Sequence, residues 1–446
     1  MSRQLFGTDG VRGRAGEFLT AELALSLARA AVELSGDRHP RVLIVRDTRE
    51  SGEMLEAAIA AGVTSAGGDV LLGGVLPTPA APLLLRRHGL QLAVVISASH
   101  NPYEDNGIKF FAADGFKLSD ETESEIENRI DVPGASTERI GRVRDLPGAL
   151  EDYLFELHAR FEALDLSGRR ILLDCANGAT YRAAPEIFRR LGAEVDVIAD
   201  DPDGRNINAG VGSTHIDQLC ELMARGEHDA GFAFDGDGDR VLAVDRRGIV
   251  IDGDELIAIV ATHYKRTGLL NGGGVAVTVM TNYGFHTAME RAGINVTTTA
   301  VGDRYVNEAL RSRDWRLGGE QSGHIIDLGF GPSGDGIASA LLTLEALAGA
   351  ELSERQAMVK LPQKLVNIRA VNRGLLSAAM GSEEVKQAVS EADISLSGRG
   401  RVLVRVSGTE PLIRVMVEAP TQEETEKVCS ELAKTVESAL GVSEPA

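Results

Sequence analysis

The chain has 446 residues, 43% hydrophobic and 25% charged, with a formal net charge of −20. That balance suits compact folded domains rather than a disordered or fibrous chain, and a length well above the usual ~100–150 residues of one domain predicts three or four of them. A surface this negative repels nucleic acid and anionic lipid, no apolar run reaches the ~20 residues of a membrane span, and the start, MSRQLFGTDG, lacks the apolar core of a secretion signal, so the expectation is a cytoplasmic protein that binds neither nucleic acid nor membrane.

Taken in chain order, the first clear unit is VLIVRDTRESGEMLEAAIAAGVTSAGGDVLL from Val42: an apolar strand, a polar loop, a run of helix formers, and a second strand led by glycine. The same grammar returns in ILLDCANGATYRAAPEIFRRLGAEVDVI from Ile171 and in VAVTVMTNYGFHTAMERAGINVTTT from Val275. Strand, helix, strand in this order predicts parallel α/β sheets, so three similar α/β domains are expected. The last stretch differs: VLVRVSGTEPLIRVMVEA reads as two alternating strands about a break, followed by a helix with Thr421 and Glu424 in capping-box spacing and Val428, Leu432, Val436 and Leu440 on one face. A smaller α+β unit is expected there. Boundaries near the DLPG and DRRG turns and Leu361-Pro362 give domains 1–148, 149–248, 249–362 and 363–446. Cys175, Cys220 and Cys429 are far apart and form no CxxC pair, which predicts buried thiols rather than a zinc cluster or a disulfide framework.

Four loops carry candidate chemistry. The apolar run Leu92–Ile96 leads straight into SASHNPYEDNG, and functional groups in parallel sheets gather just past the carboxyl ends of buried strands. Ser99 and His100 are therefore candidates, although Asn101-Pro102 could simply make a turn. After Gly231–Phe234 comes DGDGDR, which places Asp235, Asp237 and Asp239 at alternate positions; three carboxylates so close repel one another unless a cation or strong donors sit among them. Oxygen-only ligands favour Mg²⁺ or Ca²⁺, with glycines letting the loop curl. An EF-hand loop also opens this way, but it needs Gly and Glu where this chain has Arg240 and Arg246. A solvated acidic turn is the alternative. Arg240 beside the trio suits an anionic substrate more than a metal cage.

In the third loop, LGGEQSGH from Leu317, Glu320 and Ser322 could bind sugar hydroxyls or an amine. Gly329, Gly331 and Gly334 match G-x-G-x-x-G, but Pro332 sits inside and no ribose-binding acid follows, so a dinucleotide site is discounted. At the C-terminal break, RVSGTEPLIR gathers Arg405, Ser407, Gly408, Thr409 and Arg414 as either an anion-binding nest or a plain hairpin turn.

GTDGVRG, SASHNPYEDNGIKFF, DGDGDR, VGDRYV, GGEQSGHII and RVSGTEPLIRVMVE, in this order and spanning nearly the whole chain, resemble the α-D-phosphohexomutases. The resemblance implies three similar mixed-sheet α/β domains and a smaller C-terminal α+β domain around a central cleft. Ser99 is then the phosphorylated serine, Asp235, Asp237 and Asp239 with a phosphoserine oxygen hold Mg²⁺, and Lys109 is the general acid/base candidate. Arg12 and His100 join the catalytic set. Arg240, Glu320, Ser322, His324, Arg405, Ser407, Gly408, Thr409 and Arg414 join the substrate-binding set. The implied reaction interconverts glucosamine 6-phosphate and glucosamine 1-phosphate through a hexosamine or glucose 1,6-bisphosphate intermediate and activator, supplying amino-sugar nucleotides for cell-wall precursors. An activating kinase or bisphosphate donor charges Ser99, and a homodimer is among the implied partners. A phosphoserine-using phosphatase would share the nucleophile but show no stimulation by a sugar bisphosphate; a non-catalytic sugar-phosphate binding protein would keep the acidic loop with a dispensable Ser99.

Overall fold

The computed structural model describes residues 5–132, 134, 139–370, 373–406 and 411–441. Its contacts divide the chain into two units, Met1–Met280 with Ile294–Gln356, and Thr281–Gly293 with Ala357–Ala446.

The first unit holds three sheets. One contains β1 (Phe6–Gly7), β2 (Gly10–Arg14), β3 (Arg41–Arg46), β4 (Asp69–Val75), β5 (Leu92–Ile96), β6 (Asp105–Ala112) and β7 (Val143–Asp145), in the order β1-β2-β6-β5-β3-β4-β7. β3, β4, β5 and β7 run parallel, whereas β6 pairs antiparallel with both β5 and β2, so the sheet is mixed as expected. All five residues of β5 are buried, as a central parallel strand requires. Leu27 and Ile59 of the helices Ala21–Leu34 and Ser51–Ser65 share one core with Val42, Ile44, Val94 and Ile96.

The second sheet has the order β12-β11-β10-β8-β9, formed from β8 (Arg170–Asp174), β9 (Glu194–Ile198), β10 (Ala230–Phe234), β11 (Val241–Asp245) and β12 (Val250–Ile251). The third has β13 (Gly274–Thr278), β14 (Asn295–Thr299), β15 (Leu317–Gly319) and β16 (Ile325–Asp327) in the order β14-β13-β15-β16. One construction recurs in all three. A central strand (β3, β8, β13) pairs in parallel with the strand after its helix (β4, β9, β14), and on its other side with a further parallel strand (β5, β10, β15) that ends in a loop and comes back antiparallel (β6, β11, β16).

In the second unit β17 (Gln363–Arg369), β18 (Arg401–Val406) and β19 (Leu412–Glu418) form an antiparallel sheet with β19 in the centre. Thr421 caps the helix Gln422–Leu440 by accepting from Glu424 N at 3.2 Å, and Leu432, Val436 and Leu440 bury against Ile413, Val415 and Val417. β17 and the helices Arg373–Gly381 and Glu383–Leu396 add to the two strands and one helix expected. Thr281–Gly293 joins this unit through Asn282, whose amide bonds Leu361 O and N at 3.1 and 3.0 Å, and through Tyr283 N, which donates to Glu418 at 2.7 Å. Cys175 and Cys429 are buried thiols, but Cys220, on the short helix Asp217–Met223, is only half-buried. Among the described residues no helix is long and apolar enough to cross a membrane.

Candidate active site

Ser99 lies in the loop between β5 and β6, 1% exposed and with φ of 55°, a left-handed conformation unusual outside glycine. Its Oγ donates to Asp235 Oδ2 at 2.5 Å, and its backbone N donates to Ser97 Oγ at 2.9 Å. His100 Nδ1 is 3.4 Å from the same hydroxyl. Burial, with Arg240 and Arg12 nearby, pushes His100 down to about 4, so the imidazole is neutral near pH 7.

Asp235, Asp237 and Asp239 occupy the matching loop between β10 and β11, all buried, and each offers a carboxylate oxygen within 4.8 Å of the others. The glycines permit this in different ways. A Cβ on Gly236 would stand 2.5 Å from Ser99 O, so the two loops touch backbone to backbone only because the side chain is missing; Gly238 has φ of +71°. Burial, and then repulsion from Asp239 and Asp237, raises Asp235 well above the ordinary carboxyl range. Asp239 goes the other way: burial would raise it, but His324, Lys109 and Arg240 hold it well below.

Lys109 projects from β6 into this cluster, 1% exposed, with Nζ at 2.8 Å from Asp237, 3.0 Å from Asp9 and 3.8 Å from Asp239. Burial disfavours its charge, but the three carboxylates outweigh that and raise it, so it is an ammonium. Two buried carboxylate oxygens, Asp237 Oδ1 and Asp239 Oδ1, have no hydrogen-bond partner. Orphaned buried oxygens in an all-oxygen cluster are what a hard cation would satisfy, so the residues present fit a metal ion.

Arg12 pairs with Asp9 and donates to Ala98 O at 3.5 Å, and Arg240 Nε is 3.8 Å from Asp239. The Nε atoms of both arginines are buried without a hydrogen-bond partner. From the loop between β15 and β16, His324 reaches Asp239 at 3.6 Å and Asp303 at 3.9 Å, while Glu320 accepts from Gly302 N at 3.0 Å. Ser322 of the same loop is exposed. Arg405 and Arg414 belong to the second unit, where they stand opposite each other in the β18–β19 register. Ser407, Gly408 and Thr409 fall outside the described residues.

Sequence reasoning missed several partners. Asp9 accepts from Lys109, Lys117 and Arg12, Lys117 also pairs with Asp303 at 2.6 Å, and Thr78 Oγ1 donates to Asp237 at 2.6 Å. Asp47 and Arg49 stand just past the carboxyl end of β3, the position that drew attention to Ser99 after β5. The same strand-end rule could have found them.

Comparison with known proteins gives the class first: the chain is a mutase, an isomerase. It belongs to the phosphoglucomutase/phosphomannomutase family, with alpha/beta/alpha domain I matched at residues 3–134, domain II at 151–248, domain III at 252–365 and the C-terminal domain at 365–435. It is 50% identical to the phosphoglucosamine mutase of Moorella thermoacetica, covering 97% of this chain and 98% of that one. With its counterpart in Desulforudis audaxviator the identity is 49%, over 97% of each. Among solved structures, a phosphoglucomutase/phosphomannomutase family protein from Burkholderia thailandensis superposes with a TM-score of 0.82 at 22% identity over 98% of both chains. The N-acetylphosphoglucosamine mutase of Aspergillus fumigatus, in complex with GlcNAc-6P and magnesium, gives 0.69 at 18% identity over 98% of this chain and 96% of that one. At those identities the structures speak for the fold.

Proposed function

We propose that this chain interconverts glucosamine 6-phosphate and glucosamine 1-phosphate, with Ser99 as the phosphoryl carrier. One observation carries the reading: in a chain half identical to a phosphoglucosamine mutase over nearly its whole length, the hydroxyl of Ser99 points straight at the buried carboxylate triad.

Phosphorylated Ser99 gives its phosphoryl group to O1 of the 6-phosphate, the 1,6-bisphosphate turns around, and Ser99 Oγ takes the group back from O6. In such a loose transition state, positioning and fixed charge carry most of the barrier reduction. A cation held by Asp235, Asp237 and Asp239, Mg²⁺ in this reading, would draw charge from the phosphoryl oxygens. Lys109, an ammonium at rest, supplies a proton to the oxygen that leaves phosphorus and recovers one from the hydroxyl that bonds to phosphorus, so each transfer ends with the proton count unchanged. Arg12 and Arg240 offer their unsatisfied Nε–H groups to the same phosphoryl oxygens. Glu320 and His324 face the sugar, and Arg405 with Arg414 takes the phosphate that is not reacting. A phosphoserine of about −2 beside three aspartates and one divalent cation leaves roughly −3, so these cations are needed for balance.

The test offers phosphorylated enzyme glucosamine, glucose and mannose 6-phosphates in parallel, with Mg²⁺ and a trace of hexose 1,6-bisphosphate. The expected kcat/KM is highest for the amino sugar by ~10-fold or more, the ~1.4 kcal/mol that one additional charge-assisted contact supplies. Equal turnover of glucose or mannose phosphate would overturn the amino-sugar assignment.

A further inference from the structure

Arg49 is fully buried, and each of its five N–H donors is directed at an oxygen. Nε donates to Asp47 Oδ2 at 2.9 Å. Nη1 donates to the carbonyls of Pro102 and, at 2.9 Å, Asp105; Nη2 donates to those of Ser99 and Asn101, at 2.9 and 2.8 Å. Four of the five donors thus end on backbone carbonyls, three in the loop that carries Ser99 and the fourth on Asp105, where that loop enters β6. Asp47, which orients the guanidinium, also accepts from Ser97 Oγ at 2.5 Å, and Ser97 Oγ in turn receives Ser99 N. Both backbone polar groups of Ser99 therefore lead to the Asp47–Arg49 pair.

A second arm reaches the same point from the other sheet. Asn208, in the segment after β9, is 6% exposed and donates Nδ2 to Ser99 O at 2.9 Å and to Asn101 O at 3.1 Å. These are the two carbonyls that Arg49 Nη2 also holds. Asn208 itself sits at φ of 58° with its N bonded to Ala176 O at 2.9 Å. A non-glycine residue at positive φ is uncommon and persists where its surroundings over-determine it. Here both Ser99 and the side chain that fixes it are in that conformation.

We propose that Arg49 and Asn208 are positioning residues for phosphoryl transfer, jointly pinning the Ser99 and Asn101 carbonyls so that Ser99 Oγ keeps its line to the carboxylate triad. The inference rests on Ser99 being the phosphoryl carrier. Neither residue needs to touch the substrate. Their effect belongs in the rate of transfer, because an error of about 1 Å at a reacting atom can cost ~100-fold.

The test uses full-length enzyme carrying Arg49→Lys, Asn208→Gly, or both, with Ser99→Ala as control. Glycine keeps the positive φ at 208 and removes only the amide; lysine keeps the charge that Asp47 requires and loses the fork. The expected outcome is a kcat lower by about 10- to 100-fold with KM nearly unchanged, and a parallel fall in the rate at which glucose 1,6-bisphosphate phosphorylates the dephosphorylated enzyme, read by intact mass. The double variant should lose less than the product of the two single losses, because both arms act on the same carbonyls. A wild-type kcat in Asn208→Gly, or losses confined to KM, would overturn the proposal. Full activity in Ser99→Ala would instead sink the carrier reading on which it rests.

Discussion

Lys109 is the residue on which the site's charge balance turns. It is one ammonium, 1% exposed, against Asp9, Asp237 and Asp239, while two oxygens of the triad remain without hydrogen bonds. Removing one partner of a buried ionic cluster leaves the others desolvated and unpaired, at a cost of about 3–5 kcal/mol. Lys109→Met, which keeps most of the side-chain volume, should therefore lower stability to denaturant by about that amount in chelator. Saturating Mg²⁺ should recover part of the loss, because a bound cation replaces the missing positive charge. An identical loss with and without Mg²⁺ would show that the triad does not hold the ion. Asp237→Asn should act on the same balance from the other side: it removes one ligand charge, so more Mg²⁺ is required for half-maximal activity, and an unchanged Mg²⁺ requirement would count against Asp237 as a ligand.

At the scale of elements, the loop between β10 and β11 works only because glycine alternates with aspartate. Gly236 lacks a left-handed φ, so its constraint is contact: a Cβ there would lie 2.5 Å from Ser99 O and 2.7 Å from Asn208 Nδ2. Gly236→Ala should force the two loops apart and lower kcat by ~10-fold or more while the protein remains folded; a wild-type kcat would mean that the loops shift without consequence. Ser99 and the triad were legible in the sequence because each follows a strand of five buried residues, and an abrupt polar run after such a strand has few readings. Asp47 and Arg49 follow β3, whose four middle residues are buried but which has an arginine at each end, so opposite charges two positions apart read there as a solvated surface pair. What makes them otherwise is a set of carbonyls 50 to 56 positions away, which no local pattern encodes. Lys117 and Asp303 are hidden for the same reason, separated by 186 positions. β17 was missed because only Ile368 of QKLVNIR is buried and the strand gains its place by pairing with β19.

Across the whole molecule, one construction used three times explains why these loops meet chemistry: β5, β10 and β15 each deliver a loop at the same point of the fold and return antiparallel. The resulting site concentrates Arg12, Lys109, Lys117, Arg240 and His324 in a chain whose net charge is −20. A sugar phosphate is itself anionic, so the mean field of the protein opposes its approach, and short-range donors must supply the affinity. The second unit has a pair suited to that task. Arg405 and Arg414 are directly opposed on β18 and β19, and Arg405 is pushed below its ordinary range by burial and by the Arg414 charge. A phosphate that accepts from both guanidinium groups would gain two charge-assisted contacts. Arg405→Ala should therefore raise KM for the sugar phosphate by about 10- to 100-fold, the ~1.5–3 kcal/mol of a charge-assisted contact. Its kcat should fall much less if, as proposed, the arginine pair takes the phosphate that is not transferred. A second signature follows from screening: added salt competes for a guanidinium–phosphate contact, so KM should climb with ionic strength in the wild type and climb less steeply in Arg405→Ala. Unchanged KM, or identical salt dependence in the two proteins, would leave the arginine pair as a structural feature of the hairpin and assign substrate affinity to the first unit alone.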